Sequence, residues 1–98
     1  MYWNPIGFEC IWYPTSFELD GANLTDANLT GARLFDADLS GVEMSRANLI
    51  GADLSGADLS RASLSRASLI GADLTRADLA YADLNGVVGA DLTGAVLE

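Results

Sequence analysis

Ala52-Asp53-Leu54-Ser55-Gly56-Ala57-Asp58-Leu59-Ser60-Arg61 holds the reading of the whole chain. The same five-residue phrase runs in both directions from it, back to Phe17-Glu18-Leu19-Asp20-Gly21 and on to Ala82-Asp83-Leu84-Asn85-Gly86. Fourteen consecutive units result, with Leu at the centre of all but the one built on Met44. Ala stands two places before that centre in all but two units, where Phe17 and Val42 take its place. So short and strict a period dictates a repeat architecture.

On an α-helix, a step of five residues displaces successive leucines by about 140°, so they would wander round the helix and bury no face. The remaining positions are filled by Asp, Asn, Ser, Thr and Gly, which are poor interior helix formers. In an extended segment, residues two apart share a side, so Ala and Leu face inward while the Asp or Asn between them faces out. The Ser or Thr and the Gly or Arg that follow can turn the chain. Each unit is therefore one short wall of a solenoid.

The phrases ANLTD, ADLSG, ASLSR and ADLTR resemble those of the pentapeptide-repeat proteins, over about seven-tenths of the chain. That resemblance implies an all-β fold, a right-handed quadrilateral parallel β-helix in which four units make a coil of twenty residues. At an inter-strand spacing of about 4.8 Å, fourteen units give about four coils and a height of about 17 Å. Residues 17–98 form this β-helix, with a register break at 87–89, where Val87-Val88-Gly89 intervenes before Ala90-Asp91-Leu92-Thr93-Gly94 resumes the phrase. The break is a loop, a bulge or a repeat shortened by two.

Residues 1–16 are of another kind. Tyr2, Trp3, Phe8, Trp12 and Tyr13 lie there, and after Phe17 only Phe35 and Tyr81 are aromatic. An open solenoid end exposes unpaired backbone groups and bare leucines. The segment reads as an N-terminal aromatic cap with a short helix or irregular turn between Pro5 and Pro14, and Phe17 plugs the first corner. A partner-binding aromatic patch is the alternative. The lone Cys10 packs as a small hydrophobe, with a reactive thiol as the lesser reading. At the other end no aromatic, helical or strongly charged stretch follows Ala95-Val96-Leu97-Glu98. Leu92, Val96 and Leu97 are therefore candidates for an open-end contact, pairing with a second copy or another pentapeptide-repeat protein.

Sorting outward residues by twenty gives each wall a character. One carries Glu18, Asp38, Asp58 and Asp78, an acidic ladder. A second has Asn28, Asn48 and Ser68 beside Thr30, Ile50 and Ile70, with Gly31, Gly51 and Gly71 at its corner and no charge; Ile50 and Ile70 are its candidate apolar contact. A third has Arg33 with Asp53 and Asp73, beside Phe35. The last stacks Asp26, Arg46 and Arg66.

Fourteen acidic residues against five Arg give a net charge of −9, so nucleic-acid binding, which needs cationic contacts to phosphate, is not expected. No stretch nears eighteen apolar residues, so no transmembrane helix is expected. The absence of Lys or Arg before Arg33 speaks against a secretory leader and leaves the cytoplasm as the expected location. With no His, no Lys and a regular outward lattice of carboxylates, no catalytic residue, metal site or cofactor is expected. Two functions stay open. One is a structural or protein-interaction module. The other, implied by the resemblance, is a DNA-mimic inhibitor of a type II topoisomerase such as DNA gyrase, working through the acidic ladder. Net charge over the repeats is about −1 per 3 Å, roughly half the density of duplex DNA.

Overall fold

The outward residue of each unit pairs with the residue one coil further on, and this pairing builds the molecule. In the computed structural model, which describes Trp3–Asn4, Glu9–Cys10 and residues 18–98, parallel bridges join Glu18 to Asp38, Asp38 to Asp58 and Asp58 to Asp78. Equivalent columns run Asn23–Glu43–Ser63–Asp83, Asn28–Asn48–Ser68–Val88 and Arg33–Asp53–Asp73. There are thus four walls, each one unit wide, wound as a right-handed quadrilateral β-helix. Pairing on each wall is confined to single bridges because five residues leave room for one extended step between corners.

Three backbone bonds per unit hold neighbouring coils together. Leu39 N–H donates to Asp58 O at 2.7 Å, Gly41 N–H to Ser60 O at 2.8 Å, and Asp58 N–H back to Ala37 O at 2.9 Å. Within a coil the corner closes on itself, as where Val42 N–H donates to Leu39 O at 3.1 Å. This is a four-residue turn whose third residue has positive φ, the geometry a type II turn requires. Every corner from Gly21 to Gly86 adopts it, including seven occupied by Asp26, Asp36, Arg46, Arg61, Arg66, Arg76 and Tyr81. Side chains cost free energy in that region, so the stacked ladder must impose the conformation.

The core is the column of Leu with Ala in the tighter places, fully buried from Leu29 to Leu79 and interrupted by Val42 and Met44 in a single unit. A larger residue at the Ala place there accompanies an unbranched, adaptable one at the Leu place. Toward the two ends, Leu19, Leu24, Leu84 and Leu92 are only half-buried against the same core.

The break at 87–89 is a repeat shortened by two. Ser68 pairs with Val88, an offset of twenty, whereas Asp78 pairs with Val96, an offset of eighteen. Gly89 absorbs the shortening at a φ of 73°, with the Ile70 side chain lying where a Cβ would project. In the N-terminal segment, β1 (Trp3–Asn4) pairs antiparallel with β2 (Glu9–Cys10). Of the two expectations between Pro5 and Pro14, a short helix is excluded at Glu9–Cys10, where the backbone is extended and pairing with β1 satisfies the main chain. The rest of that stretch, the aromatic cap's other residues and the Phe17 plug lie outside the described residues.

Candidate functional site

Each outward Asp or Asn is positioned by its own turn. Asp58 Oδ1 accepts from Ser60 N–H at 3.0 Å and from its hydroxyl at 2.6 Å. Asp38 does the same with Ser40, and Asp78 accepts from Ala80 N–H. These are Asx turns, in which a short polar side chain bonds its own backbone two residues on. The acidic ladder is thus a real column of carboxylates, but at Asp38, Asp58 and Asp78 one oxygen is committed to the turn and the residue is half-buried. Glu18, at the head of the column, is exposed. Amides serve the turn as well: Asn28 Oδ1 accepts from Thr30 N–H at 3.2 Å and from its hydroxyl at 2.7 Å, and Asn48 accepts from Ile50 N–H. Negative charge at this position is therefore not needed for the fold.

The neutral wall is wider than the sequence reading made it. Ile50 and Ile70 stand on its face, Ile70 at 49% exposure, and Val88 joins them at 52% through its bridge to Ser68. The reading of residues 87–89 as a break hid Val88, although counting on by twenty from Ser68 arrives there. Three β-branched apolar side chains thus share a wall that bears no charge.

At the C-terminal end the three candidates separate. Val96 and Leu97 are about half exposed, whereas Leu92 packs partly against the core. Near them in the last full coil, Tyr81 is 83% exposed and holds a positive φ, in the corner column above Arg61.

On one of the remaining walls two charges meet as a surface pair. Arg46 grips Asp26 with two bonds, Nε to Oδ1 at 2.7 Å and Nη2 to Oδ2 at 3.0 Å, both residues being well exposed. The hydrogen bond from Arg46 lowers the Asp26 pKa. Asp73 and Asp91 are likewise held below the usual carboxylate range, by bonds from the hydroxyl and amide of Thr75 and Thr93 respectively. Among the described residues no group of three or more His, Cys, Asp or Glu converges to hold a metal ion, and no helix is long and apolar enough to cross a membrane.

A family model for pentapeptide repeats matches residues 18–56 and 52–98, with eight copies in all. This chain belongs to the pentapeptide-repeat family. Among solved structures, a pentapeptide-repeat protein of the Arabidopsis thaliana thylakoid lumen is 25% identical, with a TM-score of 0.62 over 95% of this chain and 68% of that one. A pentapeptide-repeat protein from Nostoc PCC 7120 is 35% identical, with a TM-score of 0.50 over 85% of this chain and 86% of its own. QnrB1, a plasmid-mediated fluoroquinolone resistance protein, is 29% identical with a TM-score of 0.50; the match covers 83% of this chain but 38% of QnrB1. Comparison with curated protein sequences finds no match.

Proposed function

We propose that this pentapeptide-repeat chain is a non-enzymatic structural and protein-interaction module of the cytoplasm, a short rigid β-helix that meets protein partners through its neutral wall and its C-terminal end. The observation that carries the reading is the exposure of Ile50, Ile70 and Val88 together on the one wall without charge. Desolvating such a face costs no carboxylate hydration, which the other three walls would demand. Val96 and Leu97 extend the same chemistry to the C-terminal end, where another pentapeptide-repeat protein is the proposed partner.

A second reading is favoured by a different observation, the unbroken bridging of Glu18, Asp38, Asp58 and Asp78. On it the chain is a DNA mimic that occupies the DNA site of a type II topoisomerase such as DNA gyrase. The likeness to QnrB1 is consistent with this, but it covers well under half of that protein. The half-burial of three of the four acids and the sparse field argue for the first reading.

A DNA gyrase supercoiling assay separates the two, run with the wild-type chain and with an Asp38→Asn/Asp58→Asn/Asp78→Asn variant. Because Asn makes the same turn bond at Asn28 and Asn48, the variant removes charge and leaves the backbone as it is. The interaction module predicts no inhibition by either protein. Inhibition by the wild type that vanishes in the variant, and weakens steeply with salt, establishes the mimic instead.

A further inference from the structure

Charge decides which wall of this molecule can meet its own copy. Across the acidic wall, two chains would oppose ladders of four carboxylates each. The wall of Asp26 and Arg46 also carries Glu43, Arg66 and Asp83, and the wall of Arg33 carries Asp36, Asp53, Asp73 and Arg76, so each is net negative. Among the described residues, only the wall of Asn28, Asn48, Ser68 and Val88 bears no charge along its height. For a chain of net charge −9, it is the one of the four walls, among the described residues, on which like can pack on like without setting carboxylate against carboxylate.

We propose that this wall is a self-association surface, on which two copies pack face to face with their coil axes antiparallel. The inference rests on the interaction-module reading and names its partner as a second copy of this chain. A two-fold axis lying in the interface, across the coils and midway between the layers of Ile50 and Ile70, sets Ile50 of each copy against Ile70 of the other. Thr30 and Gly31 then face the layer of Val88 and Gly89, and the corner glycines Gly51 and Gly71 of one copy face Gly71 and Gly51 of the other with no Cβ to hold the walls apart. The contact is isologous, as closed dimers require.

The size of the wall sets the strength. Four layers of about 4.8 Å and a width of about three extended residues give a footprint of about 150–200 Å2. That is well below the about 800 Å2 per partner typical of a stable complex, so the association is weak. Two molecules of charge −9 also repel at long range, and salt screens that repulsion while leaving the apolar contact intact. Association through the neutral wall must therefore strengthen as salt rises.

Sedimentation equilibrium of the full chain, from micromolar to about millimolar protein at about 0.01 M and about 1 M ionic strength, tests this. The expected result is a mass rising from 10.3 kDa toward twice that value, with association several-fold tighter at high salt. An Ile50→Thr/Ile70→Thr variant is expected to stay monomeric; Thr30 occupies the same column, so this substitution is compatible with the coil, and circular dichroism checks that it is folded. A Leu97→Asp variant, altered at the open end, is expected to associate as the wild type does. A monomer throughout, association that salt weakens, or association lost in Leu97→Asp but kept in the double-Thr variant overturns the proposal. The gyrase assay judges the interaction-module reading separately, so failure here is distinguishable from failure there.

Discussion

Replacing Asp58 by Asn measures what the acidic ladder costs. Asp58 lies one layer from Asp38 on one side and from Asp78 on the other. At a layer spacing of about 4.8 Å, each like-charge pair repels by about 0.9 kcal/mol in bulk water. Neutralising the middle residue removes both pairs, or about 1.7 kcal/mol before screening. Screening lengths of about 30 Å at 0.01 M and about 3 Å at 1 M leave about 85% and about 20% of that repulsion. The turn bond to Ser60 weakens when a carboxylate becomes an amide, but this change depends little on salt. The salt-dependent part of the stability difference between variant and wild type is therefore about 1 kcal/mol, in favour of the variant at low salt. In thermal unfolding this appears as a melting-temperature gap that shifts by about 4–8 °C between the two salts. Asp53→Asn is the control: Asp53 has Arg33 below it and Asp73 above, so lost attraction offsets lost repulsion and no salt dependence is expected. A stability difference for Asp58→Asn that is the same at both salts refutes the picture of stacked, interacting charges.

Other substitutions probe the walls and corners separately. Gly51→Ala places a Cβ where no atom lies within 4 Å, so its effect is the cost of a φ of 69° alone. That cost is about 1–2 kcal/mol, partly offset by about 0.4–1 kcal/mol from a stiffer unfolded chain, and chemical denaturation should show a net loss of up to about 1.5 kcal/mol. Conversely, Arg61→Gly relieves the same strain at a corner that nature filled with a side chain, and a small gain of up to about 1 kcal/mol is expected in the same assay. Leu54→Ala opens a cavity in the middle of the fully buried column and should cost about 2–5 kcal/mol, which urea titration would register as a lowered midpoint. Asp26, Asp73 and Asp91 have folded pKa values below their unfolded ones, so their contribution to stability is present above about pH 4 and is lost as pH falls through the folded values. An Asp73→Asn variant should accordingly show a shallower decline of stability below about pH 4 than the wild type.

Alternation within five residues decided which side chains face inward, so the leucine core was legible in the residues themselves, from local extended geometry and a constant period. The twenty-residue coil that sorts outward residues into acidic and neutral columns was implied by the resemblance to pentapeptide-repeat proteins, because how many units close a coil depends on contacts between coils. Where the period fails, legibility fails with it: Val88 was overlooked as a member of the neutral wall because the two missing residues after it looked like a break at it. Tertiary structure alone showed that the shortened repeat keeps Val88 in register with Ser68 and shifts Val96 onto Asp78, since only the coil already folded beneath offers the carbonyls and amides that choose the pairing. It also decided that Arg, Asp and Tyr would take the left-handed corners alongside glycine. Residue type by itself disfavours that conformation, and the bonds to the coils above and below impose it.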